Sequence, residues 1–205
     1  MSGNAFAIGH AIRPFPGEVR SGDQVFVRAD EAGAVVALVD AVGHGTAAAG
    51  TGLRVVRVLG DIFDRQPDAD LGSALTALHA DMTGGRGASI TLARYEAATG
   101  SLAVVAVGNT VARVIGPGRS KSLLSRDGNL GHILPSPRLE TSRLVPGGML
   151  LIYSDGVKSQ FDFEALPQRH TAPPDALART ILDHHGKDHD DSSVLILKRA
   201  RVALG

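Results

Sequence analysis

The sequence predicts an α+β layered sandwich. Short apolar, β-branched runs recur along the chain, while helical periodicity is confined to a few separate stretches. Aromatic residues make up only 4% of the chain and Trp is absent, so the core must be built from Val, Leu, Ile and Ala. Such a core favours strands packed against helices rich in small residues. At 205 residues the chain fits one domain, spanning 1–205, and is long enough to bury a good core without staples.

The elements follow in order. Ala5 to Ile12 reads as a first strand, closed by the turn-rich Pro14–Gly17. Gln24–Arg28 and Ala34–Val39 are β-branched runs separated by Asp30–Gly33, which predicts a hairpin. The second run is nearly continuous in apolar residues, as suits a strand covered on both faces. Thr46 to Asp64 carries a helical stripe of Leu53, Val56, Leu59 and Phe63. Gly50, Gly52 and Gly60 weaken that helix by about 1 kcal/mol each relative to Ala, and close approach to a sheet would explain them. Asp68 to Met82 predicts a second helix, with Leu71, Leu75, Leu78 and Met82 on one stripe.

From Gly87 the chain becomes β-rich. Ala88–Tyr95, Ser101–Val107 and Thr110–Ile115 read as a meander with turns at Ala98–Gly100 and Gly108–Asn109. Ser120–Leu124 reads as a further strand, and Asp127–Arg138, with two Gly and two Pro, as a loop. Leu139–Leu144 and Met149–Tyr153 are strands, and Pro173–His185 is a third helix that opens on proline. Ser193–Leu197 is the last strand.

Charge and composition exclude several classes of function. The 21 basic and 21 acidic residues leave a formal net charge of +0, so nothing recommends nucleic acid or an anionic membrane as a partner. Without cysteine there is no disulfide, thiolate zinc site or Cys nucleophile. The opening MSGNAFAIGHAIRPF lacks the pattern of a signal peptide, and no stretch approaches the roughly 20 apolar residues of a membrane-spanning helix. The expectation is a cytoplasmic protein.

The chemistry lies in aspartates at strand ends. Asp40 ends an apolar run and precedes Val42-Gly43-His44-Gly45, where two glycines allow a tight turn. The following helix would aim its N-terminus, which favours anions, at the same place. Asp155 follows MLLIYS and precedes Gly156, and Asp190 and Asp191 precede SSVLILK. Asp23 opens the second strand. Taken singly, these read as a helix cap, a β-turn residue, a solvated loop and a turn. On an extended chain adjacent carboxylates point to opposite sides, so only one of Asp190 and Asp191 would join a shared site. Taken together, carboxylates crowded at strand ends need a cation to stay ionised. Oxygen donors suit Mg²⁺ or Mn²⁺, and two such ions about 3.5–4 Å apart can hold a hydroxide and clamp a phosphoryl group.

The chain resembles the metal-dependent protein phosphatases of the 2C class, in particular the small bacterial branch of SpoIIE- and RsbX-like proteins. RPFPGEVRSGDQVFV looks like that branch's opening and DAVGHG like its Asp-Gly-x-Gly-His-Gly, while GNTVARV, YSDGV and DDSSVLIL look like its later strands. These motifs run in order through nearly the whole chain. The resemblance implies a four-layer αββα sandwich, with two central, mainly antiparallel sheets flanked by helices. It also implies two Mn²⁺ or Mg²⁺ ions between the sheets. Asp40 would bridge them. Asp23 and the main-chain carbonyl of Ala41 would serve one ion, Asp155 and Asp190 the other, with Asp191 as the alternative to Asp190. Water activated by the ions would attack a phosphoserine or phosphothreonine. The implied substrate is a phosphorylated regulator of a partner-switching system, such as a sigma-factor antagonist or a stressosome protein.

Ala41 stands where the family usually has Gly. A carbonyl ligand survives that change, but a backbone angle open only to Gly would not. Weaker affinity for one ion is the expectation, and it motivates an alternative reading as a catalytically weak pseudophosphatase that binds phosphoproteins. His44 could donate a proton to the leaving oxygen or simply hold its turn. Arg20 could grip phosphate or be an ordinary surface residue. His184, His185 and His189 read as a polar loop rather than a metal cluster, and Asn109 reads as a turn residue by default, with a role near the site as the alternative.

Overall fold

A computed structural model describes residues 5–116 and 119–201. The first four residues of the opening segment, residues 117 and 118, and residues 202–205 lie outside the described residues. The strands are β1 (Phe6–Arg13), β2 (Gln24–Ala29), β3 (Gly33–Ala41), β4 (Ala88–Glu96), β5 (Ser101–Val107), β6 (Val111–Gly116), β7 (Arg119–Leu123), β8 (Glu140–Arg143), β9 (Met149–Tyr153) and β10 (Ser192–Arg199). The α-helices are α1 (Gly45–Arg65), α2 (Leu71–Met82) and α3 (Pro174–His185).

The strands form two five-stranded sheets, in the orders β1-β10-β9-β6-β7 and β2-β3-β4-β5-β8. Every strand pairing is antiparallel. Helices α1 and α2 cover the outer face of the second sheet, and α3 covers β1 and β10 of the first. The expected α+β sandwich is therefore present, with four layers.

Side-chain alternation explains the layering. Along β3, Val35, Ala37, Val39 and Ala41 pack toward α1 and α2, while Ala34, Val36 and Leu38 pack between the sheets. Along β10, Leu195 and Leu197 face between the sheets, while Val194 and Ile196 face α3. Strands buried on both faces must be apolar at every position, which is why the run from Ala34 to Val39 lacks polar alternation.

Two expectations need correction. The three strands from Ala88 to Ile115 do not form one meander. β4 and β5 pair, but β6 crosses to the other sheet and lies between β9 and β7. The other neighbour of β5 is instead β8, which comes from much later in the chain. The buried stripe of α1 is also rotated from the expected one. Ala48, Gly52, Val55, Leu59 and Phe63 are buried, whereas Leu53 is 51% exposed. Gly52 explains the rotation, since a Cβ there would lie 2.5 Å from the Gly22 carbonyl oxygen. That close approach to β2's entry holds for Gly52 alone; Gly50 and Gly60 have open space around them. The α2 stripe of Leu71, Leu75, Leu78 and Met82 is buried as expected.

Leu38 is fully buried between the sheets. Leu38→Ala removes that packing and leaves a cavity, so urea denaturation should show a loss of about 2–5 kcal/mol with little change in slope.

Candidate metal centre

Antiparallel order brings the chemistry to one end of the sandwich. At that end β3 and β9 finish, β2 and β10 begin, β4 and β6 begin, and α1 starts. Asp40 lies in β3 with the parity of Val36 and Leu38, so it faces between the sheets. Asp23 stands one residue before the Gln24–Val39 pair, in line with Asp40 across the β2–β3 hairpin. Asp155 follows β9, and Asp190 and Asp191 immediately precede β10.

These carboxylates feel one another. Asp23 is 1% exposed. Burial pushes its carboxyl from 3.8 up to about 7; the Ser154 and Ser193 hydroxyls pull it down, and Asp191 and Asp190 raise it further. Its Oδ2 and the Ser193 hydroxyl nevertheless lack hydrogen bonds of normal geometry, so the relief from these neighbours is partial. Asp40 is pushed up to about 8, first by burial and then by Asp23, Asp155, Asp190 and Asp191. Burial also raises Asp190, followed by its repulsion from Asp155.

Among the described residues, no three Asp, Glu or His side chains already converge closely enough to grip one ion. Coordination requires oxygens about 2.0–2.6 Å from one point, whereas charge repulsion reaches much further. The carboxylates are neighbours by the second standard and not by the first. An aspartate can change rotamer while its strand end stays fixed, so the side chains can still be drawn together. The residues fit a hard divalent cation in two respects. The donors are all oxygen, and Asp23 Oδ2 is a buried acceptor without a partner.

The remaining candidates take distinct positions. Ala41 is the last residue of β3, pairs with Ala88, and packs its methyl into the layer beneath α1. Among the described non-glycine residues only Gln168 has a positive φ, so the backbone at Ala41 is not one reserved for glycine. Its carbonyl oxygen and Asp191 Oδ2 both lie 3.2 Å from where a Cβ on Gly22 would stand. Asp191 accepts hydrogen bonds from the Phe15 N–H at 2.7 Å and the Gly22 N–H at 2.8 Å. It thus clamps the segment leading to Asp23 onto the start of β10.

His44 precedes α1 in a turn where Gly43 and Gly45 have φ of +87° and +74°, which explains the glycine on either side. Its ring stacks on Phe15 at 4.2 Å and its Nδ1 lies 3.2 Å from Glu18 Oε1. A Cβ on Gly45 would lie 2.7 Å from the same carboxylate, so Glu18 sits at the N-terminus of α1. Arg20 is exposed and makes no hydrogen bond or ion pair among the described residues. His184 and His185 belong to the last turn of α3, not to a loop, and His185 stacks on Phe161.

The sequence leaves the role of Asn109 open, and the structure gives it a place at the site. Its side-chain amide donates to Asp155 Oδ2, and its backbone N–H donates to Ser89 Oγ at 3.3 Å. Ser89 is the cross-strand partner of Asp40. Asn109 therefore ties the carboxylate of one sheet to the strand pair that carries the carboxylate of the other. The signal in the sequence is the GNTVARV segment, in which Asn109 follows Gly108. Two open grooves, of about 1090 and 840 Å³, are lined around the β2–β3 turn at the opposite end and hold none of these five aspartates.

Comparison with known proteins now decides the kinship. The profile of the family described as Stage II sporulation protein E (SpoIIE) matches residues 30–200. The chain belongs to the SpoIIE family. No curated protein matches it at the sequence level. Solved structures share its fold. A protein of the bacterial stressosome, described as a modular system adapted to control secondary messenger signalling, is 25% identical, with a TM-score of 0.83 over 94% of this chain and 98% of that one. RsbX in complex with magnesium is 17% identical, with a TM-score of 0.82 over 98% of each chain. The catalytic domain of the serine/threonine protein phosphatase PstP, in complex with two manganese ions, is 17% identical, with a TM-score of 0.69 over 95% of this chain and 98% of that one. The fold of this SpoIIE-family chain is thus the PP2C-type phosphatase sandwich.

The raised carboxyls predict how stability responds to pH. The native state keeps protons on Asp23 and Asp40 up to about pH 7 to 8, while the unfolded chain releases them near 3.8. Between these limits the native state binds more protons, so stability in EDTA should fall as pH rises from 5 to 8. Divalent ions compete with those protons, so Mn²⁺ should raise the melting temperature more at pH 8 than at pH 5.5. Calorimetry at both pH values reads this. A flat or rising EDTA curve would show that the carboxyls are not held together.

Asn109→Ala should leave the melting temperature in EDTA within about 2 °C, because the side chain is exposed, yet weaken Mn²⁺ binding about tenfold or more in calorimetric titration.

Proposed function

We propose that this chain, as one domain, is a metal-dependent protein serine/threonine phosphatase of the cytoplasm. Its substrate is a phosphorylated regulator of a partner-switching pathway, such as a sigma-factor antagonist or a stressosome protein. Membership of the SpoIIE family and the kinship of fold with RsbX, PstP and a stressosome protein support this reading. The observation that carries it is the alignment of Asp23 with Asp40 across β2–β3, at the end of the sandwich shared with Asp155, Asp190 and Asp191.

Two Mn²⁺ or Mg²⁺ ions would be held by Asp23, Asp40, the Ala41 carbonyl, Asp155 and Asp190. When bound, such ions supply an activated water and neutralise charge on the phosphoryl group. The protein's own groups do the rest. Asp40 contributes from β3, where it feels acids of both sheets. Asp191 fixes the loop entering β2, and Asn109 orients Asp155. His44, braced by Phe15 and Glu18, stands at the rim, where an imidazole could deliver a proton to the leaving serine oxygen. Arg20 rides the clamped loop three residues before Asp23 and would meet the phosphoprotein.

The pseudophosphatase reading drew its force from Ala41. The ordinary strand backbone at that residue removes the steric reason for a defective ion site. Asp40→Asn and Asp155→Asn should each lower Mn²⁺-dependent hydrolysis of a phosphoserine peptide by at least two orders of magnitude, with circular dichroism unchanged. Wild-type protein that binds Mn²⁺ but releases no phosphate would favour the binding-module alternative.

A further inference from the structure

The acidic end of the sandwich must admit a phosphate that carries up to two negative charges. Lys187 lies close enough to Asp190 to lower its carboxyl, and Arg20 rides the loop before Asp23. A third cation, Arg86, has a well-defined mount. It stands in the tight segment Thr83–Gly87, between α2 and β4. The β3–β4 register pairs Asp40 with Ser89 and Ala41 with Ala88. The ladder runs on through the Val42 N–H, which donates to the Gly87 carbonyl at 3.1 Å. One more step sets Arg86 opposite Gly43. Behind it, the Gly85 N–H donates to the Met82 carbonyl, and the Leu130 N–H donates to the Ala88 carbonyl at 2.9 Å. The backbone beneath Arg86 is therefore tied on both sides.

Its side chain lies over the turn that follows Asp40. A Cβ on Gly43 would meet Arg86 Nη1 at 3.2 Å and no other atom within 4 Å. Gly43 thus leaves room for a guanidinium on the turn between the acidic cluster and the start of α1. Arg86 is exposed, and its guanidinium makes no hydrogen bond or ion pair among the described residues. By contrast, Arg28, Arg54, Arg138 and Arg169 are each matched with a carboxylate. A planar guanidinium with free donors, mounted beside an acidic site, suits two oxygens of one tetrahedral phosphate.

We infer that Arg86 is a phosphate-binding residue, which receives the substrate's phosphoryl oxygens as the phosphoserine enters beside Asp40. The inference rests on the phosphatase reading and adds to it a guanidinium outside the motifs shared with the family. Repulsion between the substrate dianion and the carboxylates is thereby met by a cation from the β4 side of the mouth, in addition to Arg20 from the β2 side.

Arg86→Ala and Arg86→Lys test it, with Arg20→Ala alongside. In Mn²⁺, Arg86→Ala should lower kcat/KM on a phosphoserine peptide about 10- to 100-fold, and Arg86→Lys should recover part of the loss. Calorimetric Mn²⁺ affinity should stay within about twofold of wild type, since the residue holds no ion. Inorganic phosphate, titrated into the Mg²⁺-loaded protein and followed by ³¹P NMR, should bind at least about tenfold more weakly to Arg86→Ala. Three results would each overturn the inference: unchanged phosphate binding in Arg86→Ala, loss of Mn²⁺ affinity in step with activity, or full loss in Arg20→Ala with none in Arg86→Ala. If wild type hydrolyses no phosphoserine, the phosphatase reading fails, and the phosphate titration still decides Arg86.

Discussion

Two aspartates in line across a hairpin, with at least one of them buried, set the terms for this molecule. Asp23 and Asp40 occupy the place of a cross-strand pair at the open end of β2–β3. Like charges directly opposite one another destabilise a sheet, and burial compounds the effect. A fold that aims only at stability would put an apolar pair there, as it does at Val25 and Leu38 two steps further in. The carboxyls answer in the only way open to the isolated chain, by holding protons well above their usual range. A hard cation removes the conflict more completely, because it converts mutual repulsion into shared attraction. The stability of this end of the sandwich and its chemistry are thus one electrostatic problem.

The rest of the architecture keeps that problem localised. Three apolar layers fill the spaces between α1/α2 and the second sheet, between the sheets, and between the first sheet and α3. None can yield easily, since each strand of β3, β9 and β10 is packed on both faces. The strand ends that bear Asp40, Asp155 and Asp190 are consequently rigid, while the carboxylates themselves retain rotamer freedom. Antiparallel order does the gathering. A strand that ends at the acidic face is followed in its sheet by one that begins there, so residues far apart in sequence arrive together without long loops. The opposite end has two open grooves but none of these five aspartates.

Most strands were legible because local pattern and tertiary demand agree. Ala34–Val39 is apolar throughout because it is covered on both sides, and Asp30–Gly33 is a turn by composition. The failures share a cause. Nothing in residues 101 to 115 says that β6 must leave β5, because that choice depends on β9 and β8, which come later in the chain. The stripe of α1 was misread because hydrophobicity favoured Leu53, whereas packing favoured the smallness of Gly52 against Gly22. At the site, aspartates at strand ends could be recognised by type and setting. Asn109 could only be left open, because its importance lies in a hydrogen bond to Asp155 across 46 residues.

The adjacent pair at 190 and 191 shows how one dipeptide can serve structure and chemistry together. Alternation on an extended chain would send the two carboxylates to opposite sides. Asp191 turns inward and spends both oxygens on the N–H groups of Phe15 and Gly22. A carboxylate with each oxygen held by a backbone donor is fixed in place, a strong brace for the loop that positions Asp23. Asp190 is less buried, and Asp155 is the first of its charged neighbours to raise its carboxyl. Asp191 thus fixes the entry to β2, and Asp190 is the acid the proposed centre would draw on. This favours Asp190 over Asp191 as the ion ligand. It also explains why two consecutive acids stand at the start of a buried strand, where either alone would fill only one of the two needs.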